Sequence, residues 1–235
     1  MTASTDTAST DTSARSRRKR EQIIAAAREV FTNEGYIGTS MDAVAAQAGA
    51  SKRTVYHYFP DKEQLFAATV LDTVDRGYEY FRPRILALAE TDDIENAIRE
   101  QARATMRGLT DPELLKMRRL VIAEAERFPG IGREYYERSW VRTLELFADT
   151  LRTLTRRGLL AVEDPYRAAY IFTWLIASIP TNKVAFLGDA ALDPPDELIA
   201  QADEAARVFL AAYTPATSRR SARPSPHDDR PARGA

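Results

Sequence analysis

An all-α chain in two parts, a small N-terminal head and a larger helical body, is predicted by three observations. Apolar residues recur at helical rather than strand spacing along most of the length. Asp-Pro pairs, glycines and Ser or Asp starts punctuate that pattern where helices begin and end. One stretch, Thr39–Phe59 (TSMDAVAAQAGASKRTVYHYF), places two short helices across a glycine turn, the helix-turn-helix pattern. No alternating strand-like run and no internal repeat interrupts this reading.

The head is built in order. Met1–Ser13 is Thr, Ser, Ala and Asp, without the apolar core of a secretory signal, and a disordered tail is expected over residues 1–14. Arg15–Arg20 (RSRRKR) is a cationic run. Alone it is a solvated arm or helix start; beside a helix-turn-helix it suits phosphate contact. Ile23, Ala26, Ala27, Val30 and Phe31 mark an amphipathic helix that ends near Asn33–Gly35. Ser40 is placed to cap the next helix, whose apolar face is Met41, Val44, Ala45 and Ala48. Gly49 supplies the left-handed turn. Ser51 caps Lys52–Tyr58, Val55 points inward, and Pro60 stops the chain from continuing as helix. These three helices are expected to close their own core, within a head spanning 15–77.

Asp61 with Gln64 then reads as a capping box. Leu65, Phe66, Val70, Val74, Tyr78 and Phe81 carry that helix to about Pro83, a rigid lever between head and body. The body, 78–213, continues with a helix capped by Asp92 and another opened by Asp111-Pro112. Pro129-Gly130 reads as an interruption. A long stripe from Tyr136 through Trp140 to Leu154 stops at Gly158, Asp164-Pro165 opens an apolar helix, and Asp193-Pro194 opens the last. Residues 214–235 lack apolar period, and disorder is expected there.

Composition excludes several function classes. There is no cysteine in the 235 residues, hence no disulfide framework, thiolate metal site or cysteine nucleophile. That usage fits a reducing cytoplasm, the expected location. The net charge is −1, but residues 15–60 hold eight Lys/Arg against four Asp/Glu, a basic head on a near-neutral body. The most apolar run, Ala168–Ile179, is too short to span a bilayer. Besides His57 the only histidine is His227, which lies in the C-terminal tail, so no histidine pair or triad is expected to be available for a metal. Glu124 and Glu126, two apart on a helix, face different ways and read as salt-bridging partners rather than an acid/base pair. No phosphate loop or nucleophile elbow is present, so no catalytic residue, metal or cofactor is expected.

On the second short helix the outward residues are Lys52, Arg53, Thr54, Tyr56 and His57. All are donors, cations or flat rings suited to a DNA groove and its phosphates. Pattern alone leaves an ordinary helical hairpin with a solvated face as the alternative.

The stretch Ile23–Phe66, IIAAAREVFTNEGYIGTSMDAVAAQAGASKRTVYHYFPDKEQLF, resembles the head of the TetR family of bacterial transcriptional regulators. Glu34-Gly35-Tyr36, Ala45 to Gly49, Tyr56-His57-Tyr58-Phe59 and Lys62-Glu63-Gln64-Leu65 carry the resemblance. In the body, Leu120–Tyr136 (LVIAEAERFPGIGREYY) and GLLAVEDP, Gly158–Pro165, are similar to the AefR-like subgroup. The resemblance implies a homodimer that binds a palindromic, inverted-repeat operator in double-stranded DNA. It also implies repression, less often activation, relieved by a small-molecule effector held in the body. Residue by residue, it implies phosphate contacts at Thr39, Ser40, Tyr58 and Lys62. Lys52, Arg53 and Thr54 would read bases and phosphates, Tyr56 would pack on the DNA backbone, and His57 sits at a variable position.

Met106, Met117, Tyr136, Trp140 and Trp174 are candidate pocket residues; ordinary helical core is the alternative for each. An apolar or aromatic effector is expected. Ala202, Ala205 and Ala206 beside Phe209, with the apolar Ala168–Ile179, predict a four-helix dimer interface. The competing function class is a helical ligand- or partner-binding protein without operator binding; the intact Lys52-Arg53-Thr54 and Lys62 weigh against it.

Overall fold

The computed structural model describes residues 6–215, and every regular element among them is helical. The helices are α1 (Asp6–Gly38), α2 (Met41–Gln47), α3 (Lys52–Tyr58), α4 (Lys62–Leu88), α5 (Ile94–Leu109), α6 (Pro112–Glu124), α7 (Pro129–Tyr136), α8 (Arg142–Arg156), α9 (Pro165–Leu187) and α10 (Pro195–Tyr213). A π-helical turn, Glu137–Val141, joins α7 to α8.

The head's local chemistry follows the sequence. Gly35 takes φ 72° and breaks α1. The Ser40 and Ser51 hydroxyls accept the amides of Ala43 and Thr54, satisfying donors that each helix start leaves free. Gly49 takes φ 53° in the turn, and Val55 is fully buried. The tail differs from expectation. α1 reaches back to Asp6, into residues read as disordered. The packed Ile23–Phe31 face nucleates the helix, and a stretch free of Gly and Pro lets it propagate backward. Residues 1–5 and 216–235, including His227, lie outside the described residues.

The head does not close its own core. Phe31, Tyr36 and Phe66 form its aromatic centre, with ring centroids 5.1 Å apart for Phe31–Phe66 and for Tyr36–Phe66. Met117 and Val121 of α6 are buried in the same cluster, and Phe128 sets its ring edge against Tyr36 at 4.7 Å. The buried Arg28 guanidinium pairs with Asp72 of α4 at 2.5 Å and Glu113 of α6 at 3.0 Å. Head and body are therefore joined through α6 as well as through the α4 lever.

Helix boundaries move where tertiary contacts outweigh local rules. α4 runs through Pro83 to Leu88. An interior proline costs about 3 kcal/mol, while burying Ile85 and Leu88 returns roughly 1.5–3 kcal/mol each. α9 likewise passes through Pro180, itself buried. Asp93, not Asp92, caps α5, and Asp92 pairs with Arg157 instead. Asp193 pairs with Lys183, leaving the start of α10 to Pro194 and Pro195. The expected interruption is present just before Pro129, between the end of α6 at Glu124 and the start of α7, which Pro129 opens.

The body core is Ile98, Met106, Phe147, Leu151, Phe172 and Phe209, drawn from α5, α8, α9 and α10. Arg103 of α5 grips both carboxylate oxygens of Asp203 on α10, each at 2.7 Å. That hydrogen bonding holds the Asp203 carboxyl below its usual range. The small residues Ala202, Ala205 and Ala206 are buried in this core, where they admit α10 against its own body. They are not the dimer surface the sequence reading assigned. On these two helices the large apolar side chains left exposed are Tyr166, Tyr170, Ile171, Ile179, Phe186 and Leu187 of α9, with Ile199 and Val208 of α10.

Candidate nucleic-acid interface and body cavity

Helix α3 presents Lys52, Arg53, Tyr56 and His57 to solvent on the side opposite Val55. Arg53 has no hydrogen-bond or ion-pair partner among the described residues. Lys52 pairs with Asp42 of α2 at 2.9 Å, which raises the affinity of its amine for the proton. Both groups are exposed, so the pair is weak and Lys52 is free to exchange partners. The Thr54 hydroxyl lies 2.8 Å from that of Ser51. Tyr56 stands 42% exposed, with Lys52 over its ring. Tyr58 turns back to the head, packs against its core and meets the Ser16 hydroxyl at 3.1 Å. The basic arm is thereby tied to α3, and Arg15, Arg17 and Arg18 stay exposed on the same helix. Gln22 also reaches the turn, donating to the Ala48 carbonyl at 2.9 Å.

Two expected phosphate contacts have structural work. Thr39 is 3% exposed, and its hydroxyl donates to the Gly35 carbonyl at 2.7 Å, so its side chain holds the α1–α2 turn. Ser40, at the start of α2, stays exposed. The Lys62 ammonium donates to the carbonyls of Tyr36 and Thr39, both at 2.8 Å, and lies over the Tyr36 ring. Lys62→Ala is therefore expected to lower head stability without DNA by about 1.5–3 kcal/mol, the worth of hydrogen bonds to a charge. Denaturant titration measures it. Unchanged stability, with only the salt slope of DNA binding falling by about one unit, would instead make Lys62 a phosphate contact. The sequence reading missed Ile37, which stands 79% exposed beside this turn. An apolar residue between Gly35 and Gly38 was the available signal.

The body holds a cavity of about 90 Å³ between α4, α5, α6, α7, the π turn, α8 and α9. Its walls are mostly apolar and aromatic: Tyr78, Phe81, Leu114, Trp140, Phe147 and Phe172. Trp140 stacks flat on Trp174, with centroids 5.2 Å apart and planes within 2°. Of the residues nominated from sequence, Trp140 lines the cavity and Trp174 backs it. Met106 is body core, Met117 is head core, and Tyr136 is exposed. α6 faces two ways: Leu114, Leu115 and Arg118 line the cavity, while Met117 and Val121 enter the head core. No group of three or more metal-ligating side chains occurs among the described residues, and no helix there is long and apolar enough to cross a membrane.

Comparison with known proteins matches this architecture. Residues 23–69 fit the pattern described as bacterial regulatory proteins, tetR family, and residues 96–215 fit the AefR-like transcriptional repressor C-terminal domain. The chain is 41% identical to a TetR-family transcriptional regulator from Mesorhizobium loti MAFF303099, with TM-score 0.83 over 86% of this chain and 99% of that one. It is 30% identical to the flavonoid-responsive regulator FrrA, with TM-score 0.66 over 85% and 98%. It is also 28% identical to the HTH-type transcriptional regulator TcmR of Streptomyces glaucescens, over 66% of this chain and 67% of that protein.

Proposed function

This chain belongs to the TetR family of transcriptional regulators, with an AefR-like body, and from that premise we propose that it is a ligand-responsive repressor. It binds an inverted-repeat operator as a homodimer and is released by a small apolar or aromatic effector. The observation that carries the reading is α6, one helix that lines the cavity and completes the head core. A ligand that favours a different α6 position biases both heads, which is what release from DNA requires. The aromatic cavity supports a flat effector, in keeping with the flavonoid response of the 30% identical FrrA.

Arg53 and Thr54 are assigned to base reading. Lys52, Ser40, Tyr56, His57 and the arm Arg15–Arg20 are assigned to the backbone, and Tyr58 to positioning the arm. The dimer is assigned to the exposed apolar faces of α9 and α10. Salt-titrated binding to DNA upstream of the chain's own gene tests the reading. Arg53→Ala is expected to cost about 1–3 kcal/mol on the operator and to flatten preference at one base pair of each half-site. Equal loss on all sequences would make Arg53 a phosphate contact. Retained DNA binding with no effect of any cavity ligand would leave a constitutive regulator.

A further inference from the structure

We infer that the effector is an aromatic carboxylate whose anionic group is taken by Arg118; this deepens the reading of the cavity as an effector site and rests on it. Arg118 is the one charged side chain among the residues lining the cavity. It is half-buried there, and no hydrogen bond or ion pair engages its guanidinium among the described residues. Its neighbours differ. Arg119 is paired with Asp189, Arg138 with Asp75 and Glu134, and Arg142 with Asp75. No carboxylate lines the cavity to serve Arg118. A guanidinium that loses hydration without gaining a partner is poorly solvated. A carboxylate entering the cavity would give it a charge-assisted, bidentate partner.

The rest of the lining fits the same class. The Tyr135 phenol feels the Arg118 charge, and burial pushes it up to about 12, so it stays protonated and able to donate to an anion. Trp140, braced by Trp174, offers a flat wall for a ring. Arg118 lies on α6 one residue after Met117, so pairing there acts on the helix that completes the head core. A neutral ligand could fill the apolar space but would leave Arg118 as it is.

The chain has only two tryptophans, Trp140 and Trp174, so tryptophan fluorescence, excited beyond the tyrosine absorption band, reports on this wall. The probes are 2-naphthoate and its neutral isostere 2-naphthamide, titrated near neutral pH where the acid is ionised. The acid is expected to bind about tenfold or more tightly than the amide, in the range of hydrogen bonds to charged groups. Arg118→Gln is expected to erase that preference by weakening the acid alone, and Arg118→Lys to keep part of it. Unchanged amide binding in Arg118→Gln verifies that the cavity is intact. Acid and amide binding equally, or a preference that survives Arg118→Gln, overturns the anion assignment and leaves the effector cavity standing. Neither probe perturbing the tryptophans overturns both.

Discussion

Introducing arginine at both Ile171 and Val208 is expected to convert the dimer to monomer and lower operator affinity by on the order of a hundredfold or more. Both side chains are apolar and more than a third exposed, one on α9 and one on α10, so neither substitution disturbs the body core. A twofold interface repeats every change, so each dimer would bury four unpaired cations. Two linked heads bind their half-sites with an avidity gain of about 10²–10⁴ over one head, and monomers forfeit it. Sedimentation gives the oligomeric state, and the helical circular dichroism signal shows that the fold persists. A variant that stays dimeric at full affinity moves the interface elsewhere.

The second large effect concerns stability. Met117→Ala is expected to destabilise the protein by about 2–5 kcal/mol, because Met117 is wholly buried where α6 completes the head core. Typical domains have only about 5–15 kcal/mol in total, so the change is large. Denaturant unfolding measures it. DNA affinity should fall with it as the head loosens. A loss below about 1 kcal/mol would mean that the head core closes without α6.

Much of this fold was legible because local chemistry determined it. Ser40, Ser51, Asp61, Asp111 and Asp164 accept the backbone amides that their positions in the chain suggest. Legibility failed where one helix serves two cores. Leu114, Met117, Val121 and Phe128 look like a single stripe, yet Leu114 faces the cavity and the others face the head. Periodicity says that a face is buried, not against what. The same limit hid the placement of Ala206, whose small size suits either a partner's helix or its own neighbour. Asp92 and Asp193 were misread as helix starts because both hold basic partners distant in sequence or across a turn. For Thr39 and Lys62 the family resemblance implied phosphate contacts, and it did not show that both side chains also donate to carbonyls of the α1–α2 turn.

The small volume of the cavity bears on how much effector a cell must accumulate before it responds. Ligand sites for drug-sized molecules run to about 300–1,000 Å³, against about 90 Å³ here. If the proposed aromatic effector is larger than this space, it would have to bind an enlarged form of the body, present as a minority of the resting population. If that form is about 1% populated, the observed dissociation constant is about a hundred times the intrinsic one. On the proposed repressor reading, the threshold for response would be set jointly by ligand contacts and by the packing that keeps the body shut. Substitutions that loosen this packing, remote from any ligand atom, would lower the response threshold, and those that tighten it would raise it.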